Sequence, residues 1–90
     1  MKTDRKKAFL RNLKKITDPT LKTEVEQVYM AVKEAKTMHD IPKLRKVKGC
    51  KKGISYRIRV GVYRIGVEIE GDMVTFLAFG HRREFYNTFP

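Results

Sequence analysis

Arg57, Arg59 and Arg64 are residues of this chain whose types and spacing suit the holding of phosphate, and His81, Arg82 and Tyr86 follow a short way on. Arginine grips phosphate oxygens through paired N–H bonds and neutralises charge building on a phosphorane. Histidine and tyrosine are side chains that can move protons.

The elements that must position these residues are two consecutive β-hairpins between Ile54 and Tyr86. Ile54, Tyr56, Ile58 and Val60 alternate with Ser55, Arg57 and Arg59, and Tyr63, Ile65, Val67 and Ile69 alternate with Arg64, Gly66, Glu68 and Glu70. Alternation of this kind marks strands that bury one face. A two-residue turn at Gly61-Val62, with glycine first as in a type II′ turn, sets Arg59 directly opposite Arg64. Like charges in that position destabilise a strand pair, so an anion from outside is the expected counterpart. A second two-residue turn at Gly71-Asp72 aligns Ile65, Val67 and Ile69 with Ala78, Phe76 and Val74 on the buried face. The open face then collects Arg57, Arg59, Arg64, Glu68, Thr75, Leu77 and Phe79. Arginine forks beside an exposed ring suit RNA, whose unpaired bases stack on aromatics. The basic segment Leu44 to Lys52 reads as a short strand leading to a turn at Gly49, and adds Lys48, Lys51 and Lys52 as RNA contacts. His81, Arg82 and Tyr86 reach the arginine face if the tail after Gly80 folds back by a few residues.

Composition agrees with this direction. The 90 residues hold 21 Lys+Arg against 10 Asp+Glu, a net charge of +11. Such a balance points to nucleic acid, an anionic membrane or an acidic protein. No apolar run approaches the roughly 18 residues of a spanning helix, and the first residues lack the apolar centre of a signal peptide. The single Cys50 forms no internal disulfide, which fits a reducing cytoplasm. With Cys50, His39 and His81 the only soft ligands, a zinc site is not expected, nor is any cofactor. No glycine-rich phosphate loop is present.

Two helices precede the hairpins. Ala8, Phe9, Leu13 and Ile16 form one stripe, with lysines and arginines around it. Asp18-Pro19 reads as a helix start, with Asp as N-cap and Pro in the first turn. Leu21, Val25, Val28, Tyr29, Val32 and Ala35 then share a face, and Ile41-Pro42 predicts an end near Met38-His39. The expected fold is a single α+β domain: a helical hairpin over about residues 4–39, packed on one face of an antiparallel sheet of three to four strands over about residues 44–80, with a tail from 81 to 90.

In order and spacing, these residues resemble the RelE/ParE superfamily of bacterial toxins, from about Phe9 to Pro90. The resemblance is carried by Tyr56-Arg57-Ile58-Arg59-Val60-Gly61, Tyr63-Arg64-Ile65 and Gly80-His81-Arg82-Arg83 followed by Tyr86. It implies a type II toxin whose partner is an acidic antitoxin. It further implies a metal-independent endoribonuclease that cuts mRNA on the ribosome and so inhibits translation. Arg57 and Arg59 match the family's RNA-gripping basic pair, and Arg64 the arginine that stabilises the phosphorane. Arg82 matches the basic residue on the leaving side, Tyr86 the C-terminal tyrosine, and His81 a position often Lys or His. Relatives often begin with a β-strand. Met1 to Phe9 is short and charged, so that strand is expected to be absent or a stub. Other readings on the same fold are a ParE-like gyrase inhibitor that cleaves nothing, and an inactive RNA-binding module.

Overall fold

The computed structural model describes residues 1–48 and 53–90. The turn expected at Gly49, the role of Cys50 and the contacts expected of Lys51 and Lys52 lie outside the described residues. Strand β1 (Lys2–Arg5) is followed by helices α1 (Lys7–Lys14) and α2 (Pro19–Glu34) and a single 3₁₀ turn at Met38–Asp40. Strands β2 (Leu44–Lys46), β3 (Ser55–Val60), β4 (Tyr63–Glu70) and β5 (Met73–His81) come next, and helix α3 (Arg82–Thr88) closes the chain. The strands form one sheet in the order β1-β5-β4-β3-β2.

The α+β class stands, but among the described residues the sheet has five strands and is mixed, because β1 runs parallel to β5. Its four residues, Lys-Thr-Asp-Arg, carry no apolar alternation, so their pattern hides a strand. What holds them is outside the segment. Thr3 Oγ1 lies 2.9 Å from the Tyr29 hydroxyl, and the Arg5 guanidinium sits 4.3 Å from the centre of the Tyr29 ring. Arg5 also reaches Glu26 at 3.4 Å, so both inward side chains of β1 find their partners on α2.

Asp18 caps α2, its Oδ1 accepting from the Thr20 N–H at 2.9 Å, as the Asp-Pro start predicts. The end comes earlier than expected, at Glu34. Asp40 Oδ2 accepts from the N–H groups of Lys36 and Thr37, both at 3.2 Å, and this local bonding competes with continuation of the helix. The core between helices and sheet holds Phe9, Val25, Val32, Ile58, Ile65, Val67, Val74 and Phe76. Phe76 anchors it, with ring centres of Phe9 and Tyr29 at 5.3 and 5.2 Å.

Both tight turns form where glycine permits them. Gly61 and Gly71 have φ of 60° and 59°, and the residues after them do not share the positive φ, the pattern of a II′ turn. Between β4 and β5 the register shifts once: Val67 pairs with Phe76, whereas Gly66 pairs with Ala78. Leu77 is the extra residue of a β-bulge, and it reverses which face each later side chain of β5 takes.

Candidate nucleic-acid interface

Cross-strand register builds the site. Arg59 pairs with Arg64, as the turn at Gly61-Val62 requires, and Arg57 pairs with Gly66. On the other side of β3, Arg45 pairs with Arg57. Paired residues share a face, so Arg45, Arg57, Arg59 and Arg64 stand together on the surface away from α1 and α2. Arg45 was not singled out in the sequence. Its signal was the neighbouring Leu44, which opposes Ile58 on the core face and so turns Arg45 outward. Opposed like charges destabilise by about 0.2–1 kcal/mol per pair, and this face carries two such pairs. Among the described residues the ion pairs are Arg5–Glu26 and Lys6–Asp4, so none of the four arginines is neutralised by a carboxylate.

Arg64 is the most fixed of them. Its Nη1 donates to the carbonyls of Gly61 at 3.1 Å and Tyr63 at 2.9 Å, so the turn itself sets the guanidinium's orientation. The Nε–H is buried and, among the described residues, has no acceptor. Nε and Nη2 form one edge of the guanidinium, the edge that takes a phosphate through two parallel bonds. The arrangement is that of a pre-oriented anion donor.

The tail does fold back, as helix α3. The Arg82 N–H donates to the Val62 carbonyl at 2.8 Å, tying the start of α3 to the turn beside Arg59 and Arg64. Phe85 and Phe89, four residues apart, turn toward the sheet and form a second small core with Val47, Leu77 and Ala78. Arg82 and Tyr86 share the adjoining stripe of the helix, both exposed. Glu84 takes another flank and lines a cleft with Asn12, Lys15, Asp18, Tyr63 and Phe79. Lys48 is exposed just beyond Val47, whose N–H donates to the Ser55 carbonyl at 2.9 Å.

Three expectations are corrected here. Phe79 is not on the arginine face: the bulge at Leu77 turns it to the helix side, where it pairs with Ile65, is 8% exposed and stacks on Tyr63 at 5.3 Å. Leu77 is not open either, being half-buried under the tail. His81 follows the same reversed phase. It pairs with Tyr63 and meets that ring edge-on at 5.6 Å, apart from the four arginines. Its Nδ1 accepts the Arg83 N–H at 3.1 Å and caps α3. That bond leaves the proton of the neutral ring on Nε2, which suits a hydrogen-bond donor and not a base.

A basic, orphan-donor face on an α+β sheet suits an anionic partner. Comparison gives the family. The family model described as ParE toxin of the type II toxin-antitoxin system, parDE, matches residues 5–86. The chain is 32% identical over 85 residues to toxin RelE3 of Methanocaldococcus jannaschii, covering 93% of both. Its fold superimposes on the RelB-RelE antitoxin-toxin complex of Methanococcus jannaschii with a TM-score of 0.79 and 29% identity, over 97% of this chain and 99% of that one. The RelBE2 toxin-antitoxin complex of Mycobacterium tuberculosis shares the fold at a TM-score of 0.70 and 17% identity, over 90% and 96% of the two chains. The chain belongs to the RelE/ParE superfamily and is a toxin of the type II toxin–antitoxin class. No described helix is long and apolar enough to cross a membrane.

Proposed function

We propose that this toxin is an endoribonuclease that cuts mRNA on the ribosome. The observation that supports it most is the pair of opposed arginine rows containing Arg64, with its unpartnered Nε–H. The 2′-oxygen attacks the adjacent phosphorus, the bond to the 5′-oxygen breaks, and a cyclic phosphate and a 5′-hydroxyl result. Arg64 neutralises the phosphorane, Arg45, Arg57 and Arg59 hold the flanking backbone, and Arg82 serves the leaving side. Proton transfer falls to Tyr86, half exposed on α3, whose hydroxyl oxygen takes the 2′-OH proton as its own proton passes to the 5′-oxygen, because His81 is engaged as a cap. His81 then holds α3 in place and offers Nε2–H as a donor.

Purified protein added to programmed ribosomes is expected to leave mRNA cut at defined positions within the reading frame. Tyr86→Phe should slow that cleavage by roughly 10²-fold or more, the usual range for a lost proton-transfer group. Cleavage at the wild-type rate by Tyr86→Phe would show the proton-transfer role to be wrong. A gyrase-directed activity is the second reading, favoured by the description of the matched family as ParE toxin. Loss of gyrase-dependent supercoiling, with mRNA left intact, would decide for it.

The similar RelE chains are seen in complexes with RelB antitoxins, which supports an antitoxin partner for this chain. With a net charge of +11, the partner should be acidic and should lie over the arginine face in place of α3. Complementary charge speeds encounter and apolar contact slows release. Association rates measured from low to high salt should therefore fall steeply while dissociation changes little. A salt-independent on-rate would remove the arginine face from the interface.

A further inference from the structure

The slot now filled by the Phe89 ring is the feature that the arginine chemistry leaves unexplained. A Cβ placed on Gly66 would come within 2.8 Å of Phe89 Cδ1 and Cε1 and 2.9 Å of Cγ. Near-equal distances to three successive ring atoms mean that Gly66 faces the flat of the ring, not its edge. Glycine alone leaves room for a plane to lie on the backbone there. Phe85 stands 5.1 Å away at 36°, Val47, Leu77 and Ala78 complete the walls, and Phe89 is only 5% exposed. The result is a dry shelf shaped for a planar ring.

Its position matters. Gly66 is the cross-strand partner of Arg57, and two residues along β4 stands Arg64 with its unpartnered donor. That step is roughly 7 Å, the scale on which a base stands from the phosphate of an adjoining nucleotide. A Cβ on Gly80, the partner of Arg64 on β5, would lie 4.0 Å from the Phe85 Cα, so the backbone of α3 passes over the Arg64 row. One segment thus covers both the unpartnered Arg64 donor and a ring-shaped shelf beside it.

We propose that the shelf over Gly66 is a nucleobase site, held by Phe89 in the free toxin and taken by an unpaired RNA base when the neighbouring phosphate reaches Arg64. The proposal rests on the arginine face being an RNA phosphate site, and adds to it where the base goes. Any base fits, because each presents a π-face to the backbone and to Phe85, so the shelf confers affinity without sequence preference. Phe89 acts as a competing ligand that lowers the fraction of molecules ready to bind.

The test uses the full chain with a 2′-O-methyl tetranucleotide, which it cannot cleave, and the same oligomer lacking its bases. Wild type should bind the base-containing oligomer roughly tenfold more tightly than the abasic one. Gly66→Ala should bring that ratio close to one, and Phe89→Ala should raise it several-fold by removing the competitor. In case a variant fails to fold, the wild-type NMR spectrum decides independently. Adding the base-containing oligomer should shift the Gly66 amide and move the Phe89 ring resonances to those of a free side chain, and the abasic oligomer should not. Equal binding of both oligomers, or an undisturbed Phe89 ring in the bound state, overturns the nucleobase site alone. Binding of neither overturns the arginine-face reading as well. Displacement of Phe89 by an acidic, aromatic-bearing antitoxin peptide, with no displacement by RNA, assigns the shelf to the antitoxin and overturns the proposal.

Discussion

Arg64→Ala is expected to lower the single-turnover rate of RNA cleavage by about 10²- to 10³-fold, the loss that follows removal of a fixed donor to a developing oxyanion. The reason lies in how the side chain is held. Nη1 is bound to the Gly61 and Tyr63 carbonyls, so the guanidinium arrives pre-oriented and spends nothing on reorganisation as charge builds. The variant should still fold, with a modest loss of stability. Two backbone hydrogen bonds are lost, at about 0.5–1.5 kcal/mol each. Relief of the repulsion with Arg59 offsets about 0.2–1 kcal/mol of that. Arg64→Lys should recover only part of the rate, because an ammonium cannot hold two turn carbonyls and a phosphate along separate edges. Cleavage within about threefold of wild type in the folded alanine variant would take Arg64 out of the mechanism.

Phe79→Ala should cost far more stability than deleting the residue that makes the bulge. Leu77 is the residue of β5 left without a partner on β4, so its deletion leaves Gly66 opposite Ala78 and Ile65 opposite Phe79, and plain alternation then keeps Phe79 in the core. The deletion loses only the half-buried contacts of Leu77 under the tail, at about 1 kcal/mol. Phe79→Ala instead empties the stack on Tyr63. A methyl in place of a buried phenyl costs about 3–5 kcal/mol, a large share of the roughly 5–15 kcal/mol that holds a domain of this size. Chemical denaturation of the two variants separates the effects. A deletion variant as unstable as Phe79→Ala would mean that Leu77 does more than shift the register.

The same bulge explains why the site was only partly legible in the sequence. Arg57, Arg59 and Arg64 could be placed together from alternation and one glycine turn, because a hairpin's register is a local property set within a few residues. Beyond Phe76 the alternation still looks regular on paper, yet one inserted residue reverses it, sending Phe79 and His81 to the helix side and Leu77 under the tail. Nothing in residues 73–81 marks which of them will be left unpaired. That choice depends on Tyr63, Asn12 and α3, each packed from a different part of the chain.

Strand β1 and Arg45 teach the same distinction from opposite ends. Lys2–Arg5 becomes a strand only because Tyr29 and Glu26 receive its inward side chains, so charge composition concealed it. Arg45 joined the arginine face because a three-residue strand pairs with β3 in one particular register. By itself, the sequence determined the α+β class, the two glycine turns, the helical stripes and the opposed Arg59–Arg64 pair, all consequences of short-range periodicity and turn chemistry. Only the tertiary structure decided the fifth strand, the second arginine pair, the capping role of His81 and the Phe89 ring over Gly66. Those depend on contacts between segments far apart in the chain, where side-chain shape selects one register and one packing from several that local patterning allows equally.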